Sequence, residues 1–225
     1  MSSRMNSRIN SGYLHGYSRQ PRVCVVNQDP VVNSVVARSL ADILIECHAY
    51  RSPMELLHET PANIACFLLD FTLPEIGGLE LMERLRRNDC FQPCVFMSAR
   101  LEPELVMLAM NRGAFGFVKR PFQTTLLADM MQRAINHAHA VMPHISQALE
   151  YRSGLATLSR REHQVLELLE RGQSARGAAH LLGLSPRTVE NHRARIFAKL
   201  NLSGLGQLIE RATALRLLRA TGAIR

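Results

Sequence analysis

Between residues 22 and 139 short apolar, β-branched runs alternate with longer stretches of helical spacing, and this alternation constrains the fold more than any other feature of the chain. Residues 23–26, 64–69, 93–97 and 115–118 read as strands, with a weaker one at 47–50. Val32, Val35, Val36, Leu40 and Leu44 recur at helical spacing after the first run, as do the apolar residues of 79–87, 102–111 and 125–139. Five strands alternating with five helices imply a parallel sheet covered on both faces. Such sheets gather their binding groups beyond the carboxyl ends of the strands. Asn27, Gln28 and Asp29 follow the first run, Asp70 ends the third, Ser98 ends the fourth, and Lys119, Arg120 and Pro121 follow the fifth. All of these are expected on one rim. A carboxylate flanked by a hydroxyl and a cation is the set that reversible phosphoryl transfer needs: a nucleophile, a donor to phosphate oxygens and a charge clamp. Taken alone, an Asp at a strand end serves as a cap or turn residue; the ensemble gives it chemical weight.

The charge is divided unevenly. Residues 1–150 carry 14 Lys/Arg and 14 Asp/Glu, whereas residues 151–225 carry 13 and 5, so the whole excess of +8 lies in the last third. A polyanion is therefore expected at one end only, the bland alternative being a solvated basic face. Five cysteines, Cys24, Cys47, Cys66, Cys90 and Cys94, form no CxxC or zinc-finger spacing. Cys24, Cys66 and Cys94 fall in strand-like runs and read as buried structural thiols in a reducing compartment. No apolar stretch approaches the ~18 residues of a membrane span. Residues 1–20, rich in Ser, Arg, Asn and Gly without an apolar signal core, are expected to form a flexible tail on a cytoplasmic protein.

Periodicity weakens after residue 139, where Pro143 and Gly154 interrupt it; the expected division is a domain at 21–140, a linker at 141–155 and a second domain at 156–225. The last third reads as four short helices. Ser159 and Glu162 make a capping box, Val165, Leu166 and Leu169 the apolar side behind it, and Gly172 a stop. A second helix spans 175–182, Gly183 turns the chain, and Ser185 and Pro186 cap and open a third. Helix, glycine turn and capped helix make a helix-turn-helix. In the third helix Val189, His192, Ile196 and Leu200 share the side that packs inward. The opposite side presents Arg187, Asn191, Ala194 and Ala198, flanked by Thr188, Glu190 and Arg195. Arg pairs bidentately with guanine and Asn with adenine, and small alanines allow close approach, so this face suits the major groove of double-stranded DNA. Arg193, Lys199 and Arg160 are candidates for phosphate rather than bases, and Glu190 either accepts from cytosine or pairs with Arg187 or Arg193.

Two resemblances add to this reading. The stretches CFLLDFTLPEIGGLEL, PCVFMSAR and RGAFGFVKRPF resemble receiver domains of response regulators over about residues 22–138. The resemblance implies a doubly wound, flavodoxin-like five-stranded α/β fold, with Asp70 as phosphoacceptor, Ser98 as the residue that senses phosphate, Phe117 at the aromatic switch position and a sensor histidine kinase as partner. The sequence departs from it at the metal. Receivers follow their first strand with two acidic residues that hold Mg2+, where this chain has Asn27 and Gln28, leaving Asp29 and Asp70 as the only carboxylates for a retained ion. Arg120 stands where receivers have lysine, which is displaced to Lys119. Exchanging carboxylates for amides weakens a hard-cation site, so Asp70 is expected to be phosphorylated poorly or not at all. Control by ligand, partner or constitutive dimerisation stays open beside phosphorylation, and a phosphoryl-turnover enzyme is the remote alternative. Over residues 155–213 the chain resembles LuxR-type DNA-binding domains, and SPRTVENHRARIFAKL the FixJ branch of response regulators. That resemblance implies an all-α four-helix domain whose last helix, 205–218, pairs two protomers through Leu208, Ile209, Ala212 and Leu215, although an intramolecular core explains that stripe equally well. The Ala175-Arg176-Gly177 segment departs from the family's more polar, glycine-free pattern.

Overall fold

The computed structural model describes residues 20–59, 61, 63–100 and 102–220; the expected tail lies, apart from Gln20, outside them. They form two compact units, one ending at Pro143 and one beginning at His144. In the first, β1 (Arg22–Val26), β2 (Glu46–Tyr50), β3 (Ile64–Asp70), β4 (Cys94–Ser98) and β5 (Gly116–Lys119) alternate with α1 (Pro30–Ala41), α2 (Pro53–His58), α3 (Gly78–Arg87), α4 (Pro103–Asn111) and α5 (Thr124–Leu155). The sheet is parallel throughout, in the order β2-β1-β3-β4-β5. Alternation along the strands divides the core: Val23, Val25, Leu68 and Val95 face Val36 and Leu40 of α1 and Leu127, Met131 and Ile135 of α5. Cys24, Val26, Phe67, Leu69 and Phe96 face Leu56 of α2 and Leu81, Met82 and Leu85 of α3. Ile64 and Phe67 share a face despite their odd spacing because the β1–β3 register slips between Arg22 and Val23, inserting one residue in β3.

Four of the cysteines are buried, Cys47 is half-buried and all five are free. Burial pushes the Cys90 thiol up to about 12, and Cys24, Cys66 and Cys94 likewise move away from the thiolate. α3 begins hard against the end of β3: a Cβ on Gly78 would collide with the Asp70 carbonyl oxygen, so only glycine lets this helix start beside the rim.

The second unit contains the end of α5 with α6 (Arg160–Glu170), α7 (Ala175–Leu182), α8 (Pro186–Lys199) and α9 (Leu205–Ala220). The expected interruption of 141–155 is corrected: α5 runs through Pro143 as one helix of 32 residues. Proline removes one helix hydrogen bond. Against that loss Met142, Ser146 and Leu149, at helical spacing, and Tyr151 on another side of the helix are each at most 3% exposed. Gly154 is a contact point rather than a break, since a Cβ there would lie 2.8 Å from Leu200 Cδ2.

The capping box at Ser159 forms in both directions, Ser159 Oγ accepting from Glu162 N–H and Glu162 Oε2 from Ser159 N–H. Gly172, at φ +78, follows the end of α6, and Gly183, at φ +64, closes α7 in the left-handed conformation that glycine takes without strain. Ser185 caps α8 with Pro186 at its first position. Among the described residues no helix is long and apolar enough to cross a membrane.

Candidate functional site

The chain leaves β1 for β2 on one side and returns to β3 on the other, so a crevice opens beyond the carboxyl ends of β1 and β3. Asp70, the last residue of β3, is buried there and its carboxylate is already satisfied. Oδ1 accepts the Thr72 N–H at 2.9 Å, and Oδ2 takes both Asn27 Nδ2 at 2.5 Å and Arg120 Nη2 at 3.0 Å. Burial pushes the Asp70 carboxyl above its ordinary value, opposed by the Thr72 amide and the Arg120 guanidinium. Asn27 cannot turn its carbonyl oxygen into the crevice, because that oxygen accepts the Asp29 N–H at 2.7 Å. Asn33 Nδ2 secures the same turn by donating to the Asn27 backbone oxygen at 2.9 Å.

The other predicted rim residues are engaged elsewhere or exposed. Asp29 caps α1, its Oδ1 accepting from Val31 N–H at 2.8 Å, and Gln28 is exposed. Ser98 Oγ donates to the Arg100 carbonyl at 2.6 Å and accepts that residue's N–H. Lys119 is exposed, and among the described residues it is Arg120 that pairs with Asp70. Phe117 packs with Phe71 and Phe96, at centroid separations of 6.1 and 5.5 Å. Mg2+ does not fit this donor set. A hard cation needs several oxygens, whereas the groups that contact the Asp70 carboxylate are donors: a side-chain amide, a backbone N–H and a guanidinium. Among the described residues no group of three or more His, Cys, Asp or Glu side chains could hold a metal.

The second site is the outer face of α8. Val189 and Ile196 are fully buried and Leu200 nearly so, which fixes the rotation of the helix. Arg187, Asn191, Ala194, Arg195 and Ala198 are then exposed, and Thr188 is half-buried with its hydroxyl 2.8 Å from Ser185 Oγ. Arg187, Asn191 and Arg195 recur every fourth residue along one ridge and, among the described residues, their side chains have no intramolecular hydrogen bond or ion pair. Their polar groups are left for a ligand. Glu190 does pair with Arg193, at 3.2 Å, and the Arg193 guanidinium lies 5.7 Å over the Phe197 ring. Arg160 is exposed at the start of α6.

Lys199, although exposed, is engaged within the unit. Its Nζ donates to Glu162 Oε2 at 2.7 Å and to the Thr157 carbonyl at 3.2 Å. Sequence reading found Glu162 as a cap but not this partner, because 37 residues separate them and no local pattern links the two. Lys199 first, then the Ser159 N–H, holds the Glu162 carboxyl down at about 2. A folded value below the unfolded one contributes stability that is complete above the ordinary value near 4.5 and is lost as pH falls towards 2. The gap in urea midpoint between the wild type and Glu162→Gln is therefore expected to close as pH is lowered from 5; a constant gap would deny the ion pair that role.

Along α9 the predicted dimer stripe splits. Leu208, Ala212 and Leu215 are buried within the unit, whereas Ile209, with Leu205 and Leu217, is exposed. At the start of α7, Gly177 has ordinary helical φ, and an added Cβ would crowd only the flexible end of Gln173, with Ser174 Oγ at an ordinary 3.5 Å. Gly177→Ala is expected to stabilise the second unit by about 0.5–1 kcal/mol. Thermal unfolding checks this; an unchanged or lower midpoint would show that Gln173 cannot give way.

Sheet, crevice and helix-turn-helix together define a response regulator with a DNA-binding output. The family model described as response regulator receiver domain matches residues 23–132, and that for bacterial regulatory proteins of the luxR family matches residues 156–212. The transcriptional regulatory protein FixJ of Rhizobium meliloti is 33% identical over 64% of this chain and 71% of its own. TdiR of Thauera aromatica, also a transcriptional regulatory protein, is 29% identical over 83% of each. Among solved structures the response regulator StyR superposes with a TM-score of 0.60 at 27% identity, covering 86% of this chain and 98% of its own. Full-length FixJ from B. japonicum gives 0.51 at 26% identity, over 89% of this chain and all of its own. The chain belongs to the FixJ family of transcriptional regulators, which join a receiver domain to a LuxR-type DNA-binding domain.

Proposed function

We propose that this chain is a cytoplasmic regulator that reads a specific duplex sequence through the outer face of α8, as a homodimer, under control that does not depend on efficient phosphorylation of Asp70. The carrying observation is the ridge of Arg187, Asn191 and Arg195, exposed on a rigidly packed helix and without an internal partner among the described residues. Bidentate pairing assigns Arg187 to guanine and Asn191 to adenine, with Arg195 on the flank towards the backbone. Arg160 is a candidate for phosphate, and the basic excess of the last third supplies the general attraction. Leu205, Ile209 and Leu217, exposed on α9, support pairing of two protomers on a near-palindromic site.

The receiver half of the proposal rests on the filled valences of Asp70. A phosphoryl donor must find a free carboxylate oxygen and a cation to gather charge; Oδ2 is held twice and Mg2+ lacks its cage. Four exposed apolar residues of α4, Leu105, Met107, Leu108 and Met110, favour control through a protein contact on the receiver. The test of DNA binding is fluorescence anisotropy of the full chain on random-sequence duplex at two salt concentrations. Binding that weakens steeply with salt is expected; no binding, or salt-independent binding, would remove the reading.

A further inference from the structure

We infer that Lys199 is a positioning residue for the recognition helix α8, bolting its last turn to the start of α6, and is not one of the DNA-phosphate contacts. The inference rests on the proposal that α8 reads DNA and goes beyond it by separating the basic residues that touch the ligand from one that aims them.

Four contacts converge on the end of α8. The Lys199 ammonium reaches Glu162 Oε2 at 2.7 Å and the Thr157 carbonyl at 3.2 Å. Glu162 is 4% exposed and the same Oε2 accepts the Ser159 N–H at 2.7 Å, so the carboxylate that receives Lys199 cannot move without undoing the N-cap of α6. Arg211 Nη1 of α9 donates to the Leu200 carbonyl at 3.1 Å. The Leu200 side chain fills the space that a side chain at Gly154 would occupy. Lys199 thus closes a ring joining the end of α5 with α6, α8 and α9 in the second unit.

Geometry and charge oppose a phosphate role. Lys199, four residues beyond Arg195, continues the Arg187-Asn191-Arg195 row by position, but its ammonium, unlike their polar groups, is engaged inside the unit by Glu162 and the Thr157 carbonyl. Handing its ammonium to a phosphate would take from Glu162, 4% exposed, the partner held at 2.7 Å. Arg187 and Arg195, by contrast, give up no internal bond on binding. A helix held only by Val189 and Ile196 could still slide or tilt; the ion pair fixes its far end, and with it the register of Arg187 and Asn191.

The test uses the full chain on two probes, a duplex recovered from a random pool by the wild type and a random-sequence duplex. Affinities are measured across a salt series at a temperature where circular dichroism shows every variant folded. Lys199→Gln and Glu162→Gln are each expected to weaken the recovered duplex by about tenfold, within the range of coupling between a remote contact and a binding site. Random duplex should change little, the slope of log affinity against log salt should stay as in the wild type, and the double variant should lose no more than either single one. Lys199→Arg, which can still reach Glu162, should retain most of the preference. The inference is overturned if Lys199→Gln weakens both probes equally and lowers the salt slope by about one, as loss of one phosphate contact does, while Glu162→Gln is neutral. Should Glu162→Gln fail to fold, the slope and probe preference of Lys199→Gln decide alone. A wild type that shows no preference between the probes would instead overturn the DNA reading on which the inference stands.

Discussion

The full chain carrying Asn27→Asp, Gln28→Asp and Arg120→Lys is expected to gain one phosphoryl group from acetyl phosphate in the presence of Mg2+, where the wild type gains little or none. In the wild type the Asn27 N–H and the Arg120 guanidinium both sit on Asp70 Oδ2, and the Asn27 carbonyl oxygen is committed to the Asp29 N–H. Carboxylates at 27 and 28 replace a donor with acceptors and crowd negative charge around Asp70, a burden that a divalent cation relieves. Mg2+ affinity should rise by at least about a hundredfold with the added ligand charge. Lysine at 120 frees the planar fork from Oδ2 and keeps a positive charge for the phosphate. The transfer itself is balanced: Asp70 Oδ attacks phosphorus, acetate leaves with the bridging oxygen, and intact mass records the gain. Stoichiometric labelling of the wild type would contradict the closed pocket; a folded, Mg2+-binding variant that stays unlabelled would contradict the roles given to residues 27, 28 and 120.

Arg187→Ala combined with Asn191→Ala should abolish selective binding while leaving the fold intact. Each bidentate base contact is worth about 1–3 kcal/mol, so the pair together loses roughly 30- to 20,000-fold on the specific site if the two act independently. Random duplex should weaken far less, since only one positive charge is gone, and the salt slope should fall by at most about one. Neither side chain has an internal partner among the described residues, so the melting temperature should barely move. Competition between specific and random duplexes measures all of this. Equal loss on both would reassign the two residues to the backbone.

Most of the fold was legible because its signals are local. The strands at 22–26 and 64–70 announce themselves by continuous apolar runs, and the helix-turn-helix by caps at Ser159 and Ser185 around Gly183. What the sequence could not show depends on partners far apart in the chain. Pro143 and Gly154 read as breakers, yet the burial of Met142, Ser146, Leu149 and Tyr151 carries α5 through both. Tyr151 shows the gap well: its hydroxyl donates to Glu170 at 2.6 Å, and Arg216 closes on the same carboxylate at 2.7 Å, a network spanning three helices.

The candidate sites followed the same division. The rim around Asp70 was legible as a set of strand ends, but not which of them face it: Asp29, the nearest acidic residue to the amide pair, turned out to be a helix cap, and Thr72 entered unannounced through its backbone N–H and Asn33 through its side-chain amide. On α8 the exposed ridge matched its helical spacing, because Val189 and Ile196 fix the rotation. The engagement of Lys199 did not, because its partner lies on another helix.

The most direct measurement is the recovery of bound duplexes from a random pool by the full chain, followed by sequencing. Enrichment of a near-palindromic site with fixed guanine and adenine positions, lost from the pool recovered by the Arg187→Ala, Asn191→Ala variant, is the expected result. A recovered pool no different from the input, or the same site selected equally well by the variant, would show that α8 does not read DNA in this protein.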